Sequence, residues 1–251
     1  MSNRLMLIPV GFGVGLTSVT LGLIHACQQK GIKVGHFKPI SQPSRNFLSN
    51  KKQTYNMSES HSSIPLSYVE EKMGDGQHDI ILEKIVANYN KFSKDFDLVI
   101  IEGLIPTTRQ PYATRINRDV AQALSSNIVL VAAPDNDTAE EFEDRIEVSA
   151  ATFGGLKNKK LLGCIINKLN SPDKDEFGLL PRENEFEPNK DLTSWLSLNI
   201  FSHPQFSLLG SIAWEIDLIA PRVSDIANYL NATVINQGDM EHRRIRSISF
   251  C

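Results

Sequence analysis

The segment Leu5-Met-Leu-Ile-Pro-Val-Gly-Phe-Gly-Val-Gly-Leu-Thr-Ser18 reads as an apolar strand, a glycine-rich turn and the start of a helix. This layout restricts the chain to folds in which a buried strand feeds a helix through a tight loop. Such a loop presents backbone N–H groups and a helix N-terminus to an anion. Its phosphate-binding form is G-x-x-x-x-G-K-[ST], with the Lys set against the phosphates. Here Gly11 and Gly15 are separated by three residues rather than four, Leu16 stands where the Lys belongs, and Thr17-Ser18 follow as the hydroxyl pair. The scaffold for an anion is present without its cation. Phosphoryl transfer depends on charge placed against the β/γ-phosphates, so the loop is expected to bind or sense rather than to drive ATP chemistry. The competing reading is an ordinary glycine turn.

Strand and helix patterns alternate along almost the whole chain. Strands are expected at Leu5–Val10, Lys33–Phe37, Asp97–Glu102, Asn127–Ala133, Leu161–Ile166 and Ser207–Ile212, with Thr233–Ile235 completing the pattern. Helices are expected at Thr17–Lys30, at Ser67–Met73 with Ser67 as its cap, and at Asp79–Phe92, where Ile81, Ile85, Tyr89 and Phe92 share a face. Further helices are expected at Arg118–Leu124, from the capping-box pattern Thr138-x-x-Glu141 to Phe153, and at Val223–Leu230. Residues 41–63 and 170–191 carry no apolar periodicity and read as long mobile loops. Short apolar runs without alternation belong to strands covered on both faces. The expectation is therefore an α/β fold, a doubly wound and mainly parallel sheet with helices on both faces. We place one domain at 1–230 and read 231–251 as a linker or the start of a further domain.

A formal net charge of -3 does not favour nucleic acid or an anionic membrane as partner. The one basic cluster, His242–Arg246, is short and reads as a solvated linker or edge strand. Cys27, Cys164 and Cys251 form no C-x-x-C pair, which fits reduced thiols in the cytoplasm. The apolar run Leu5–Ile24 is broken by Pro9, glycines and hydroxyl residues, unlike an export signal or a spanning helix.

In open α/β sheets ligands bind beyond the carboxyl ends of the strands. That edge gathers Gly11, Gly13, Gly15, Thr17 and Ser18 after the first strand, Lys38 after the second, Glu102 after the third, and Asn167 with Lys168 after the Leu161–Ile166 strand. Each alone has a bland reading as a strand-end or turn residue. Together they form a candidate anion, nucleotide or effector site. A Thr and a carboxylate could hold Mg²⁺ on a phosphate, Lys38 could replace the missing cation, and Asn167 could read a heterocycle edge.

The glycine loop with Val14-Gly-x-Thr17, Lys38-Pro39, Val99-Ile-Ile-Glu102-Gly103, Ile165-Ile-Asn167 and Leu209-Gly-x-Ile-x-Trp214 resemble the dethiobiotin synthetase family of P-loop enzymes. That family has a longer loop ending Gly-Lys-Thr and a glycine-rich stretch after its Glu, where this chain has Leu104-Ile-Pro106. A second resemblance accounts for those departures. Met6-Leu-Ile-Pro9, Val14–Ser18, Phe37-Lys-Pro-Ile40, Ser67–Glu70, Ile85–Tyr89, Glu102-Gly-Leu-x-Pro106, Arg145–Glu147, Ser149–Gly155, Ile166–Asn170, Trp214–Ala220 and Leu230–Thr233 resemble the N-terminal region of long-form bacterial phosphate acetyltransferases. The family converts acetyl-CoA and phosphate into acetyl phosphate and CoA in a C-terminal catalytic domain. The resemblance implies a regulatory and assembly module without the acetyl-transfer site. It also implies a homo-oligomer partnered by its own catalytic domain and by small-molecule effectors, with no certain cofactor beyond a nucleotide or metabolite effector. The alternatives are a stand-alone ATP-dependent ligase or kinase resembling dethiobiotin synthetase, and a purely structural module.

Overall fold

The computed structural model describes residues 3–42, 63–107, 112–172, 192–215, 217 and 220–245. Six parallel strands form the sheet: β1 (Asn3–Pro9), β2 (Val34–Phe37), β5 (Leu98–Glu102), β6 (Asn127–Ala132), β7 (Leu161–Leu169) and β8 (Ser207–Ala213). Their spatial order is β2-β5-β1-β6-β7-β8, so the chain winds outward in both directions from β1. Two short segments, β3 (Ile40–Ser41) and β4 (Ile64–Pro65), pair beside the sheet. The helices are α1 (Leu16–Gln29), α2 (Leu66–Gly74), α3 (His78–Phe92), α4 (Ala113–Ala123), α5 (Ala139–Thr152), α6 (Leu192–Leu196) and α7 (Val223–Tyr229).

Alternation along the strands divides the core in two. Met6 and Ile8 of β1, Val99 and Ile101 of β5, and Ile128 and Leu130 of β6 join the side chains of α3, α4 and α5 in the larger cluster. Leu7, Ile100, Val129 and Val131 point the other way and meet Leu16, Val19 and Ile24 of α1. Both faces of the central sheet are therefore covered, as the apolar runs predicted. Helix boundaries follow local chemistry. Thr138 caps α5 by accepting from the Glu141 N–H, and the Glu141 carboxylate accepts in turn from the Thr138 N–H, an arrangement worth about 1 kcal/mol. The helix α1 stops where Gly31 takes a left-handed conformation, φ 77°, that returns its N–H to the Gln28 carbonyl.

Several boundaries differ from the sequence reading. The strand β7 continues to Leu169, so Asn167 and Lys168 lie within its end rather than beyond it. The helix α4 begins at Ala113, because Ala113, Ile116 and Asn117 extend its buried stripe toward the N-terminus. The helix α2 starts behind Pro65 with no side-chain cap, leaving Ser67 inside it. Thr233–Ile235 is not a strand: Val234 is exposed and Ile235 is 98% exposed. After α7 the chain turns at Asn231, φ 48°, with no described strand beside it to complete a ladder. The expected loops at 41–63 and 170–191 fall almost wholly on 43–62 and 173–191, outside the described residues. Among the described residues no helix is long and apolar enough to cross a membrane.

One close approach fixes the β7–β8 junction. Gly163, φ 153°, pairs with Ser207, and a Cβ on it would lie 2.0 Å from the Ser207 carbonyl oxygen. Replacing Gly163 with Ala should cost roughly 2–3 kcal/mol of unfolding free energy, the scale of a core overpacking that the backbone must absorb. Urea unfolding checks this; a change below about 0.5 kcal/mol, the range of a neutral surface substitution, would mean that β8 is free to shift.

Candidate functional site

The strand-end residues converge on Glu102, the last residue of β5. Parallel registry sets β5 between β1 and β2, with Leu7 opposite Glu102 and Phe37 opposite Ile101. The period-2 rule then places His36 and Lys38 on one side of the sheet, the side covered by α1. Glu102 is 1% exposed. Its Oε1 accepts from the Thr17 hydroxyl at 2.9 Å and from the Lys38 ammonium at 2.8 Å. Its Oε2 lies 3.0 Å from His36 Nε2, which donates because an ionised carboxylate has no proton to give. His36 is itself buried, and its Nδ1 has no hydrogen-bond partner among the described residues.

Burial pushes the Glu102 carboxyl up. The His36 hydrogen bond and the Lys38 charge outweigh it and hold the group down at about 2, from an ordinary 4.5. The side chain is buried beneath these three donors, so a metal ion reaching the carboxylate would have to displace Thr17, Lys38 or His36.

The glycine loop lies above this cluster. Gly11, Gly13 and Gly15 have φ of 102°, 71° and 75°, and Gly15 is the left-handed residue that opens α1. The loop is held through its carbonyls. Arg145 Nη1 donates to the Val10 carbonyl at 2.8 Å, Lys168 Nζ to that of Gly13 at 2.6 Å, and Asn167 Nδ2 to that of Val14 at 2.8 Å. Arg145 also donates to the Ala133 carbonyl at 2.8 Å and pairs with Asp137, bolting the loop to the end of β6. With the carbonyls occupied from behind, the N–H groups of Gly11 through Ser18 have no acceptor among the described residues. That is an anion-facing array of the kind a helix N-terminus supplies. Phe12, 78% exposed, stands at its tip.

The candidate residues divide by role. Thr17, Lys38 and Glu102 meet directly. Gly11, Gly13, Gly15 and exposed Ser18 form the loop and the first turn of α1. Asn167 sits behind the loop with its amide donating to Val14, and a Cβ on Gly15 would lie 2.5 Å from its Nδ2. Leu16 is 1% exposed and belongs to the α1-side core, so the position of the missing Lys is filled by packing. The wall after Glu102 is closed by two amides. Asn117 brackets Leu104, accepting from its N–H at 2.7 Å and donating to its carbonyl at 2.8 Å. Gln42 accepts from the Ile105 N–H at 3.0 Å and donates to its carbonyl at 2.9 Å.

Sequence reasoning passed over His36, Arg145, Gln42 and Asn117 as site residues. His36 carried a legible signal, a His inside a buried apolar strand and two residues before Lys38. Arg145 and Asn117 act from helices distant in sequence, and no local pattern marks them.

This arrangement, a parallel sheet with a glycine loop and a carboxylate at the adjacent strand end, defines a P-loop-like α/β protein. The chain belongs to the AAA domain family, whose model matches residues 3–222. Over its full length it is homologous to the N-terminal region of phosphate acetyltransferases. It is 42% identical to that of Haemophilus influenzae and 39% to that of Escherichia coli, with 100% of this chain and 36% of each relative aligned. The chain thus spans about a third of the length of the relatives it matches. Among solved structures, a nucleotide-binding protein from Archaeoglobus fulgidus in complex with ADP shares the fold, with TM-score 0.51 and 16% identity over 86% of this chain and 84% of that one.

A carboxyl group whose folded value lies below its unfolded one adds stability above pH 4.5 and loses it as the pH falls toward 2. The depression of Glu102 corresponds to about 3 kcal/mol. Unfolding free energies measured from pH 6 down to pH 2 should therefore fall by about that much less for Glu102→Gln than for the parent. Parallel profiles would show that Glu102 is not held as described.

Proposed function

We propose that this chain is a regulatory and assembly module of a phosphate acetyltransferase, binding an anionic metabolite or nucleotide at the loop without performing chemistry on it. The observation that carries the reading is the closed state of Glu102. A carboxylate that must hold a metal ion for phosphoryl transfer needs open coordination sites, and here both oxygens are committed to Thr17, Lys38 and His36. The absent loop Lys points the same way, since Leu16 is packed into the core. The free N–H array still favours an anion. The homology supports the parent protein, and on this reading acetyl transfer belongs to the part of the relatives that this chain does not match. On this reading the module works in the cytoplasm within a homo-oligomer, residues 1–230 are its folded domain, and 231–251 lead toward the rest of the enzyme.

An ATP-dependent ligase or kinase is the rival reading, and the loop position decides between them. The isolated chain should show no ATPase and no acetyl-CoA:phosphate acetyltransferase activity in a phosphate-release and a coupled thiol-release assay. Turnover above background in either would overturn the reading. Leu16→Lys should not restore ATP hydrolysis. It should instead destabilise the fold by about 3 kcal/mol, because it buries an ammonium in the α1-side core. In a full-length phosphate acetyltransferase carrying this module, Lys38→Ala or Gly13→Val should flatten the response to pyruvate, NADH and ATP. Unaltered responses in both variants would leave the module with assembly alone.

A further inference from the structure

The helices α2, α3 and α4 meet at a half-buried histidine outside the Glu102 cluster and the glycine loop. A short turn joins α2 to α3. Gly76, φ 70°, reverses the chain there, and the Gln77 N–H donates to the Lys72 carbonyl at 2.8 Å. The turn sets His78, the first residue of α3, against Met73 in the last turn of α2. His78 Nε2 lies 2.8 Å from Asp119 Oδ2 of α4, and its Nδ1 lies 3.1 Å from the Met73 sulfur. Both partners can only accept. A thioether has no proton to give. The Asp119 carboxylate, which also accepts from Arg118 at 3.0 Å and faces Arg115 at 3.7 Å, has none either. A neutral imidazole carries one N–H and satisfies one of the two, leaving the Nδ1 lone pair against sulfur. The imidazolium carries two and satisfies both.

We propose that His78 is a proton-operated latch: as the imidazolium it clasps α2 and α4 to α3, and on losing its Nδ1 proton it lets go of α2 at Met73. The charges around it come from all three helices. On α4 stand Asp119, Arg115 and Arg118. On α2 stand Glu71 and Asp75, both paired with Lys72, and the carbonyl end of the helix, which favours a cation. On α3 itself stand Asp79 and the helix N-terminus, which disfavours one. Direct contact with Asp119 outweighs that last effect, because Coulomb energy falls with distance. The two clasped helices also carry the walls of the loop site. The helix α2 follows β4 directly, where the Ser63 hydroxyl donates to the Lys38 carbonyl at 2.6 Å and the Ile64 N–H to that of Pro39 at 2.9 Å. The helix α4 carries Asn117, which brackets Leu104. Opening the latch therefore loosens the mounting of Lys38. The latch stands on its own geometry, and its effect on anion binding rests on the function proposed above.

The test follows the His78 ring-nitrogen and Met73 methyl resonances of the isotopically labelled 251-residue chain from about pH 5.5 to about pH 8.5, the range in which histidine changes charge. Sulfate, whose charge is constant over that range, is titrated against the loop amides at both ends. At the low end both ring nitrogens of His78 should carry a proton. As the pH rises the Nδ1 proton should leave while Nε2 keeps its own for Asp119, the Met73 methyl should move in step, and sulfate affinity should fall about fivefold. Met73→Leu, a volume-conserving change, and His78→Gln should each remove that dependence on pH. A single ring proton at the low end, or a Met73 methyl that ignores the titration, would overturn the latch. A latch that titrates as described, with the same pH dependence of sulfate affinity in Met73→Leu as in the parent, would overturn its link to the loop site alone. Loop amides that bind no sulfate at either end, beside a latch that titrates, would overturn the anion-binding reading and leave the latch standing.

Discussion

Glu102 joins three elements that share no local sequence. Its carboxylate gathers Thr17 from α1, His36 from β2 and Lys38 from the segment after it. A buried charge of this kind is tolerated only when it is paired and hydrogen-bonded. Removing any partner leaves an ion in the interior that the rest of the core cannot compensate. The position of α1 over the sheet, and with it the height of the glycine loop, follows from keeping that carboxylate satisfied. So does the course of the chain after β2, where Lys38 leads into Pro39, β3 and the Gln42 amide that braces Ile105.

The loop above depends on a second set of constraints. Arg145, Lys168 and Asn167 all donate to its carbonyls. Lys168 reaches Gly13 from a left-handed conformation, φ 58°, an uncommon choice for a non-glycine residue. Strain of that kind persists only where surrounding contacts determine it. The effect is to fix the loop with its carbonyls turned back and its N–H groups forward. A binding surface held this way needs little reorganisation when an anion arrives. With the carboxylate beneath it closed, it offers little to a phosphoryl-transfer transition state. Preorganised binding without an open metal ligand is the physical basis for proposing sensing rather than catalysis.

Much of the architecture was legible because it rests on short-range rules. The apolar runs at Leu98–Glu102 and Asn127–Ala132 needed cover on both faces, and the glycine loop had to join a strand to a helix. The Thr138/Glu141 box announced α5. The convergence of Thr17, Lys38 and Glu102 was legible as well, because parallel strands bring their carboxyl ends to one edge. What sequence could not give was the use each residue makes of its partners. As a residue just past an apolar run Asn167 reads as available to a ligand, yet the extension of β7 to Leu169 sets it behind the loop. Leu16 read as a missing charge and is also a core residue. Arg145 and Asn117 were invisible as site residues because their partners lie on strands and loops chosen by the tertiary fold. The failure of Thr233–Ile235 to form a strand has the same origin: an apolar triplet forms a strand only with a neighbour to pair with.

The proposed sensing role requires a loop that receives an anion while the carboxylate beneath it stays closed. Amide chemical shifts of the isotopically labelled chain during titration with inorganic phosphate test this most directly. The predicted result is saturable movement of the Gly11–Ser18 amides, with the side-chain resonances of His36 and Lys38 unchanged. Loop amides that do not move at any phosphate concentration would contradict it and reduce the glycine loop to a structural turn.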